Sequence, residues 1–316
     1  VQALQFTHTG DLGFLTLCDL PKPQPQNEEV LVRVQAAGLN PSDVKNVLGL
    51  FPHTRVPRVA GRDFAGVVEA GPSAWLNKEV WGCALENGFN KDGSHAKYLL
   101  TSAHALIEKP SNLSVTQAAS LGVPYATAAE LFKRAQLAAH ARILILGAGA
   151  VARAFANILH AHQHQAVFAA RNPQAQQTLR AQGYACLDLN QNLPAQVQQH
   201  FGRLADFVLD SSGFLIDSAV QCAANFAKVA VIAAPASGEI TFPVKEFYRR
   251  SLTLIGINSL IHNNKICNDF LRELVPLIQT GKLLIDEPRA LPISQGVQAY
   301  QELQQGQSIK TVFTFN

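Results

Sequence analysis

The sequence predicts an α/β protein: a β-rich segment, an inserted doubly wound parallel sheet and a short α/β return. Three observations predict this. Short strand-forming runs, broken by glycine and proline, fill the first third. From Ser114 onward apolar strands alternate with amphipathic helices, the pattern of a parallel sheet covered on both faces. The tail then changes again, to helices followed by a final strand.

Residues 1–6 read as a strand. Glu29-Val30-Leu31-Val32-Arg33-Val34-Gln35-Ala36 reads as another, entered through Pro21, Pro23 and Pro25. Val67-Val68-Glu69-Ala70-Gly71 and Lys97-Tyr98-Leu99-Leu100 continue the β-rich part. Ser114-Val115-Thr116-Gln117 opens a helix with a capping-box pattern. Pro124 is expected to interrupt it, with a second helix over 126–136. Strands follow at 143–146, 166–170, 206–209, 229–233 and 252–257, with helices at 151–162, 173–182 and 216–226 between them. Asn268 to Thr280 is expected to form one amphipathic helix stopped by Gly281, followed by a helix at 294–303 and a strand at 310–315. The expected division is 1–113 for the first part of the β-rich domain, 114–261 for the inserted domain, and 262–316 for the segment completing the first.

The 316 residues, 47% of them hydrophobic, can bury a large core and favour two domains. The net charge of +3 comes without a basic run or a basic-aromatic stripe, so nucleic acid is not an expected partner. Five cysteines, odd in number and without a CxxC pair, point to free thiols in a reducing cytosol and a cytoplasmic location. A signal peptide is not expected from residues 1–6, which read as a strand, and no apolar run reaches the roughly 20 residues that span a bilayer, so no membrane role is expected. The chain contains no methionine.

Gly147-Ala148-Gly149-Ala150-Val151-Ala152 comes straight after a strand and straight before a helix. That context makes it a Rossmann-type dinucleotide turn. Gly147 permits the tight turn, Gly149 lets backbone approach a diphosphate, and Ala152 takes the third, helix-packing position. The helix start at Ala150 and Val151 offers free amides to the phosphates. At the end of the next strand stands Phe168-Ala169-Ala170-Arg171-Asn172, with no acid for a ribose hydroxyl pair. Arg171 suits a 2′-phosphate instead, so NADP(H) is the expected cofactor, with Asn172 beside it. Ser212 and Gly213 end the fourth strand of this domain, where such sheets place their ligands.

The chain resembles the medium-chain dehydrogenase/reductases, in particular their zinc-independent quinone oxidoreductase branch. The resemblance is carried in order by Glu29-Val30-Leu31-Val32-Arg33-Val34, Ala37-Gly38-Leu39-Asn40-Pro41-Ser42-Asp43 and Gly61-Arg62-Asp63-Phe64-Ala65-Gly66-Val67-Val68. It continues through Gly93-Ser94-His95-Ala96-Lys97-Tyr98, Ala118-Ala119-Ser120-Leu121, Thr127-Ala128, Asp210-Ser211-Ser212-Gly213 and Ser251-Leu252-Thr253-Leu254-Ile255-Gly256. It implies a GroES-like catalytic domain, a Rossmann domain, an active site in the cleft between them, and a homodimer.

Zinc alcohol dehydrogenases of this superfamily place a cysteine ligand where the resemblance puts Asn40, and a His-Glu pair where it puts Arg62-Asp63. No metal is therefore expected. His160, His162 and His164 are read as a solvated helix end and not as a metal tract. The resemblance implies hydride transfer from NADPH to a quinone or an α,β-unsaturated carbonyl. Asn40 is the first candidate near the substrate oxygen, Asp43 a second, and Tyr125 a residue to line the substrate or donate a proton. Thr127 matches the threonine that faces the nicotinamide. The tyrosine that related reductases often carry after the third strand is missing from Cys186-Leu187-Asp188-Leu189-Asn190, and Gln174 stands near an expected lysine. Two alternatives remain. One is an enoyl-thioester reductase, for which Lys245, Arg249 and Arg250 form the one modest basic cluster. The other is a non-catalytic NADPH-binding redox sensor.

Overall fold

In the computed structural model, residues 1–235, 237–307 and 309–315 are described. The chain forms two units: Val1–Ala126 with Ser259–Asn316, and Thr127–Asn258.

The first unit holds most of its strands in a seven-stranded sheet. Its spine is Glu29–Gly38, ten residues long, paired antiparallel with Asp63–Ala70, Tyr98–Ser102 and Thr311–Thr314. Alternating Val30, Val32 and Val34 are buried with Phe64, Val68 and Val80 in one core cluster. Removal of such apolar area from water drives the packing. A second cluster gathers Leu4, Phe6, Val47, Tyr300 and Phe313. The return segment is therefore part of this unit's core. It is also fastened by Asn268, whose amide exchanges hydrogen bonds with the Cys83 backbone, N to Oδ1 at 3.0 Å and Nδ2 to O at 2.8 Å.

The second unit is a six-stranded parallel sheet. Its order is Ala185–Asp188, Ala166–Ala170, Ile143–Leu146, Ala205–Asp210, Ala223–Val231, Thr253–Gly256. Counted within the unit this is 3-2-1-4-5-6, the order of the dinucleotide-binding sheet, with its switch point beside Ile143–Leu146. Leu144, Leu146, Val167, Ala169, Val208 and Val229 are buried together, as strands covered on both faces require.

The capping box forms as the sequence predicts: Ser114 N donates to Gln117 Oε1 and Gln117 N to Ser114 Oγ, each at 3.0 Å. Three elements depart from expectation. Pro124 does not break the helix, which runs from Val115 to Ala135. Cys222 ends the helix expected to reach Phe226, and Ala223–Val231 is a strand. Phe226 takes φ +62°, which ends any helical continuation, and from Lys228 onward the strand pairs with parallel neighbours on both sides. The tail helix is two pieces, Asn264–Arg272 and Val275–Gln279. Asn263 caps the first by accepting from Ile266 N at 2.9 Å. Pro276 lacks the N–H that would bond the Arg272 carbonyl, so the ladder is interrupted there. All five cysteines are unpaired, and no helix among the described residues is long and apolar enough to cross a membrane.

Candidate functional site

Strand register builds a charged cluster in the first unit. Val312 pairs with Gly38, and Gly38 pairs with Asp63. Two residues further along the antiparallel register, Lys310 stands opposite Asn40. Asn40 then begins the helix Pro41–Val47, with Pro41 at its first position. Asn40 N donates to Asp43 Oδ2 at 2.8 Å, which fixes Asp43 under the helix start.

Asn40 is 1% exposed and its amide is held at both ends. Nδ2 donates to Asp63 Oδ2 at 2.8 Å, and Oδ1 accepts from Lys310 Nζ at 2.7 Å. An ammonium only donates and a carboxylate only accepts, so this pair fixes which end of the amide is oxygen. Lys310 Nζ also donates to Leu39 O at 3.1 Å and approaches Asp63 Oδ2 at 3.4 Å. Asp63 Oδ1 accepts from Val123 N at 2.8 Å. Arg62, 1% exposed, pairs with Asp43 Oδ1 at 3.2 Å, bonds Ser42 Oγ and lies 5.2 Å from the Phe89 ring centroid. The cluster thus sets two cations against two carboxylates. Burial pulls the Arg62 guanidinium toward release, but Asp43 reverses this and raises it above the usual arginine value. Burial pushes the Lys310 ammonium below the ordinary lysine range, against the pull of Asp63 and Asp43.

His95 lies beside this cluster, fully buried. Its Nε2 is 3.1 Å from Gly38 O and its Nδ1 2.9 Å from Tyr300 Oη. The carbonyl can only accept, so Nε2 carries the proton and Tyr300 donates to Nδ1. Burial lowers the histidine's basicity and raises the Tyr300 phenol well above its usual value. Gly61, at φ +91°, leaves room for the ring: a Cβ there would lie 2.3 Å from His95 Cδ2.

These donors do not suit a catalytic zinc, which takes three neutral or anionic protein ligands and one open position. Asn40 has committed its oxygen to an ammonium, Arg62 is a cation, and both nitrogens of His95 are engaged. Among the described residues no three His, Cys, Asp or Glu side chains come together to hold a metal ion, the run around His160 and His164 included.

The second unit carries the glycine turn. Gly147 has φ +97°, and a Cβ there would lie 2.6 Å from Ser211 Oγ, which bonds Leu146 O at 2.7 Å. Nothing stands within 4 Å of the Cβ position at Gly149. The helix Ala150–Ala161 starts there with Ala152 fully buried, and its first-turn amides, Val151 included, have no intrahelical acceptor. This geometry fits a dinucleotide diphosphate. Asp210 Oδ1 shapes the neighbouring loop by accepting from Ser212 N at 2.9 Å, Ser212 Oγ at 2.8 Å and Gly213 N at 3.0 Å. Gly213, φ +78°, would drive a Cβ to 2.4 Å from the Ala233 carbonyl carbon.

Arg171 is exposed after the strand Ala166–Ala170, and its carbonyl accepts from Asn190 Nδ2 at 2.9 Å. Asn172 uses its side-chain oxygen to cap the helix Pro173–Ala181, accepting from Gln174 N at 2.8 Å. Thr127 is buried in the second unit and Tyr125 in the first. In the first unit the structure brings together Asn40 and Asp43. In the second it sets Gly147, Gly149, Ser212 and Gly213 at the carboxyl ends of adjacent strands. Lys310, His95 and Tyr300 were missing from the sequence-based candidates. Only the antiparallel register of a strand near the far end of the chain delivers Lys310, and no local motif announces it. Arg153, whose Nε donates to Ala148 O at 3.0 Å across the glycine turn, was missing too.

Residues 26–111 match the alcohol dehydrogenase GroES-like domain family. A zinc-type alcohol dehydrogenase-like protein of Schizosaccharomyces pombe is 32% identical, the match covering 97% of this chain and 94% of that protein. The chloroplastic NADPH-dependent alkenal/one oxidoreductase of Arabidopsis thaliana is 28% identical over 96% of this chain and 76% of its own length. The crystal structure of an alcohol dehydrogenase superfamily protein from Novosphingobium aromaticivorans superposes with a TM-score of 0.88 at 26% identity, covering 100% of this chain and 99% of that one. Fold, sheet order, glycine turn and these likenesses agree: the chain belongs to the medium-chain dehydrogenase/reductase superfamily, a family of nicotinamide-dependent oxidoreductases.

Proposed function

We propose that this protein is an NADPH-dependent, zinc-independent reductase that transfers hydride to a quinone or an α,β-unsaturated carbonyl. The observation that carries the reading is the cluster at Asn40 and Arg62-Asp63, where the resemblance puts the zinc ligands: with Asp43 and Lys310 it sets two cations against two carboxylates and has no thiolate or free imidazole. Without a Lewis acid, reduction of an acceptor that is already polarised is the easier chemistry. When bound, NADPH supplies the hydride. The residues Gly147, Gly149, Ala150 and Val151 are assigned to its diphosphate, Arg171 and Asn172 to its adenosine end, and Thr127, Ser212 and Gly213 to the remaining contacts. Asn40 offers the substrate oxygen the one Nδ2 hydrogen that Asp63 leaves. Tyr125 is assigned to the substrate side, and Asp43 to holding Asn40 and Arg62 in place. The chain would work by orienting both reactants and stabilising negative charge on the acceptor oxygen. The alkenal/one oxidoreductase likeness supports the acceptor class. Five free thiols support a cytoplasmic setting, and the family resemblance supports a homodimer.

Substrate screening tests the proposal. NADPH consumption is followed with 1,4-benzoquinone, 9,10-phenanthrenequinone, an enone and crotonyl-CoA. Turnover of a quinone or the enone is the expected result. Turnover of crotonyl-CoA alone would identify an enoyl-thioester reductase, and NADPH binding without turnover a redox sensor. The basic cluster needed for the thioester reading is weaker than its sequence implies. Arg250 Nη1 is bonded to the carbonyls of Val220, Gln221 and Ala223, at 3.2, 3.1 and 2.9 Å, and so caps a helix end.

A further inference from the structure

Lys310 is the one member of the charged cluster that arrives from the far end of the chain. Its Nζ gathers three oxygens from three different residues: Asn40 Oδ1 at 2.7 Å, Leu39 O at 3.1 Å and Asp63 Oδ2 at 3.4 Å. A carbonyl, an amide and a carboxylate turned toward one point are the surroundings a small cation requires. Zinc members of the superfamily hold a metal where the sequence places Asn40; here that residue is turned toward an ammonium instead.

We infer that Lys310 is the fixed cation of this site, a positioning residue that organises Asn40 and Asp63 in place of a metal ion. The three oxygens converge on Nζ because strand register sets Lys310 opposite Asn40, and Gly38 leaves the space. A Cβ on Gly38 would lie 3.2 Å from Nζ, 3.1 Å from Asp63 Cβ and 2.4 Å from Ala119 O. With Oδ1 held by the ammonium and one Nδ2 hydrogen by Asp63, the Asn40 amide has a single remaining donor. The flanking charges polarise it, as neighbouring charges strengthen a hydrogen-bond chain at low dielectric. Removing the ammonium leaves Asp63 and the Asn40 oxygen facing each other across an uncompensated space. This inference deepens the reductase reading and rests on it for its kinetic consequence; its stability consequence does not need turnover.

Chemical rescue separates a cation's role from a side chain's bulk. Lys310→Ala is compared with wild type by urea unfolding, by NADPH titration and by turnover of the accepted substrate, with methylammonium, tetramethylammonium or zinc added. Methylammonium is expected to restore most of the lost stability by binding the folded chain alone, and to raise kcat about tenfold, less than the ~10²–10³ lost when a pre-organised donor is itself removed, because Asn40 keeps its Nδ2 hydrogen. The NADPH Kd is expected to stay within about twofold throughout. Tetramethylammonium, which has no N–H, and zinc are expected to do neither. Rescue by zinc, equal rescue by tetramethylammonium, or no rescue by methylammonium would overturn the inference. Lys310→Met keeps the volume without the charge and covers the case in which the alanine variant does not fold. It is expected to lose kcat about tenfold with no response to amines, and wild-type stability and kcat in that variant would overturn the inference. If the wild-type chain turns over no acceptor, the reductase reading fails while the urea arm still decides the role of Lys310.

Discussion

Asp63 Oδ1 accepts the backbone N–H of Val123 at 2.8 Å, one residue before the proline that should have ended the helix. Pro124 has no N–H to give and crowds the preceding turn, the usual reasons for a break. Here a buried carboxylate reaches the helix at that turn, and Gly122 lets it come close. The same carboxylate holds Asn40 and Lys310, so the helix irregularity and the charged cluster are one feature.

Gly122→Ala tests this contact. A Cβ at that position would lie 2.1 Å from Asp63 Oδ1 and 2.4 Å from its Cγ. The carboxylate must move, and it is itself fully buried. Urea unfolding should show a loss of about 1–3 kcal/mol. A variant as stable as wild type would show that Asp63 is not held there.

Asp43 is the carboxylate partner of a guanidinium that is 1% exposed. Asp43→Ala strands that charge, and truncating one side of a buried pair costs about 3–5 kcal/mol. The expected loss in denaturant midpoint exceeds that of a single exposed pair, such as Lys78–Glu108, by several-fold. A loss no larger than that of Glu108→Ala would contradict the assignment of a buried pair.

On the proposed reading, Arg171 is the residue that selects NADPH over NADH. Charge-assisted bonds to a 2′-phosphate are lost in Arg171→Ala, so its NADPH Kd should rise about tenfold, equivalent to about 1.4 kcal/mol, with NADH affinity unchanged. Isothermal titration with both cofactors decides it. Tighter NADH binding by wild type, or unaltered NADPH affinity in the variant, would refute the preference.

His95 is buried neutral, its basicity lowered by burial. The unfolded chain therefore binds this proton more readily than the folded chain, and folding loses stability as protons are taken up. The contribution is intact above about pH 6.5, the unperturbed histidine value, and declines as pH falls below it. Urea unfolding from pH 7 to 5 should show a shallower decline in His95→Gln than in wild type. Equal slopes would mean that another group carries the effect.

Much of the fold was legible because it is written in local patterns. The apolar runs at Ile143–Leu146 and Ala166–Ala170 have the bounds the sequence predicts. Ser114 and Gln117 spell out their reciprocal cap. What was not legible depends on contacts far away in sequence. The strand from Ala223 gains parallel neighbours on both sides only from Lys228, and the Val115–Ala135 helix meets, at the turn that carries Pro124, a carboxylate sixty residues earlier. In the site, Asn40 and Asp43 stand out by position in a motif. Lys310, His95 and Tyr300 join them only through sheet register and core packing.

Metal-free hydride transfer is tested most directly by NADPH oxidation in chelator-treated protein, with 1,4-benzoquinone or an enone as acceptor. The predicted result is a rate that neither the chelator nor added zinc changes. A rate abolished by the chelator and restored by zinc would contradict it.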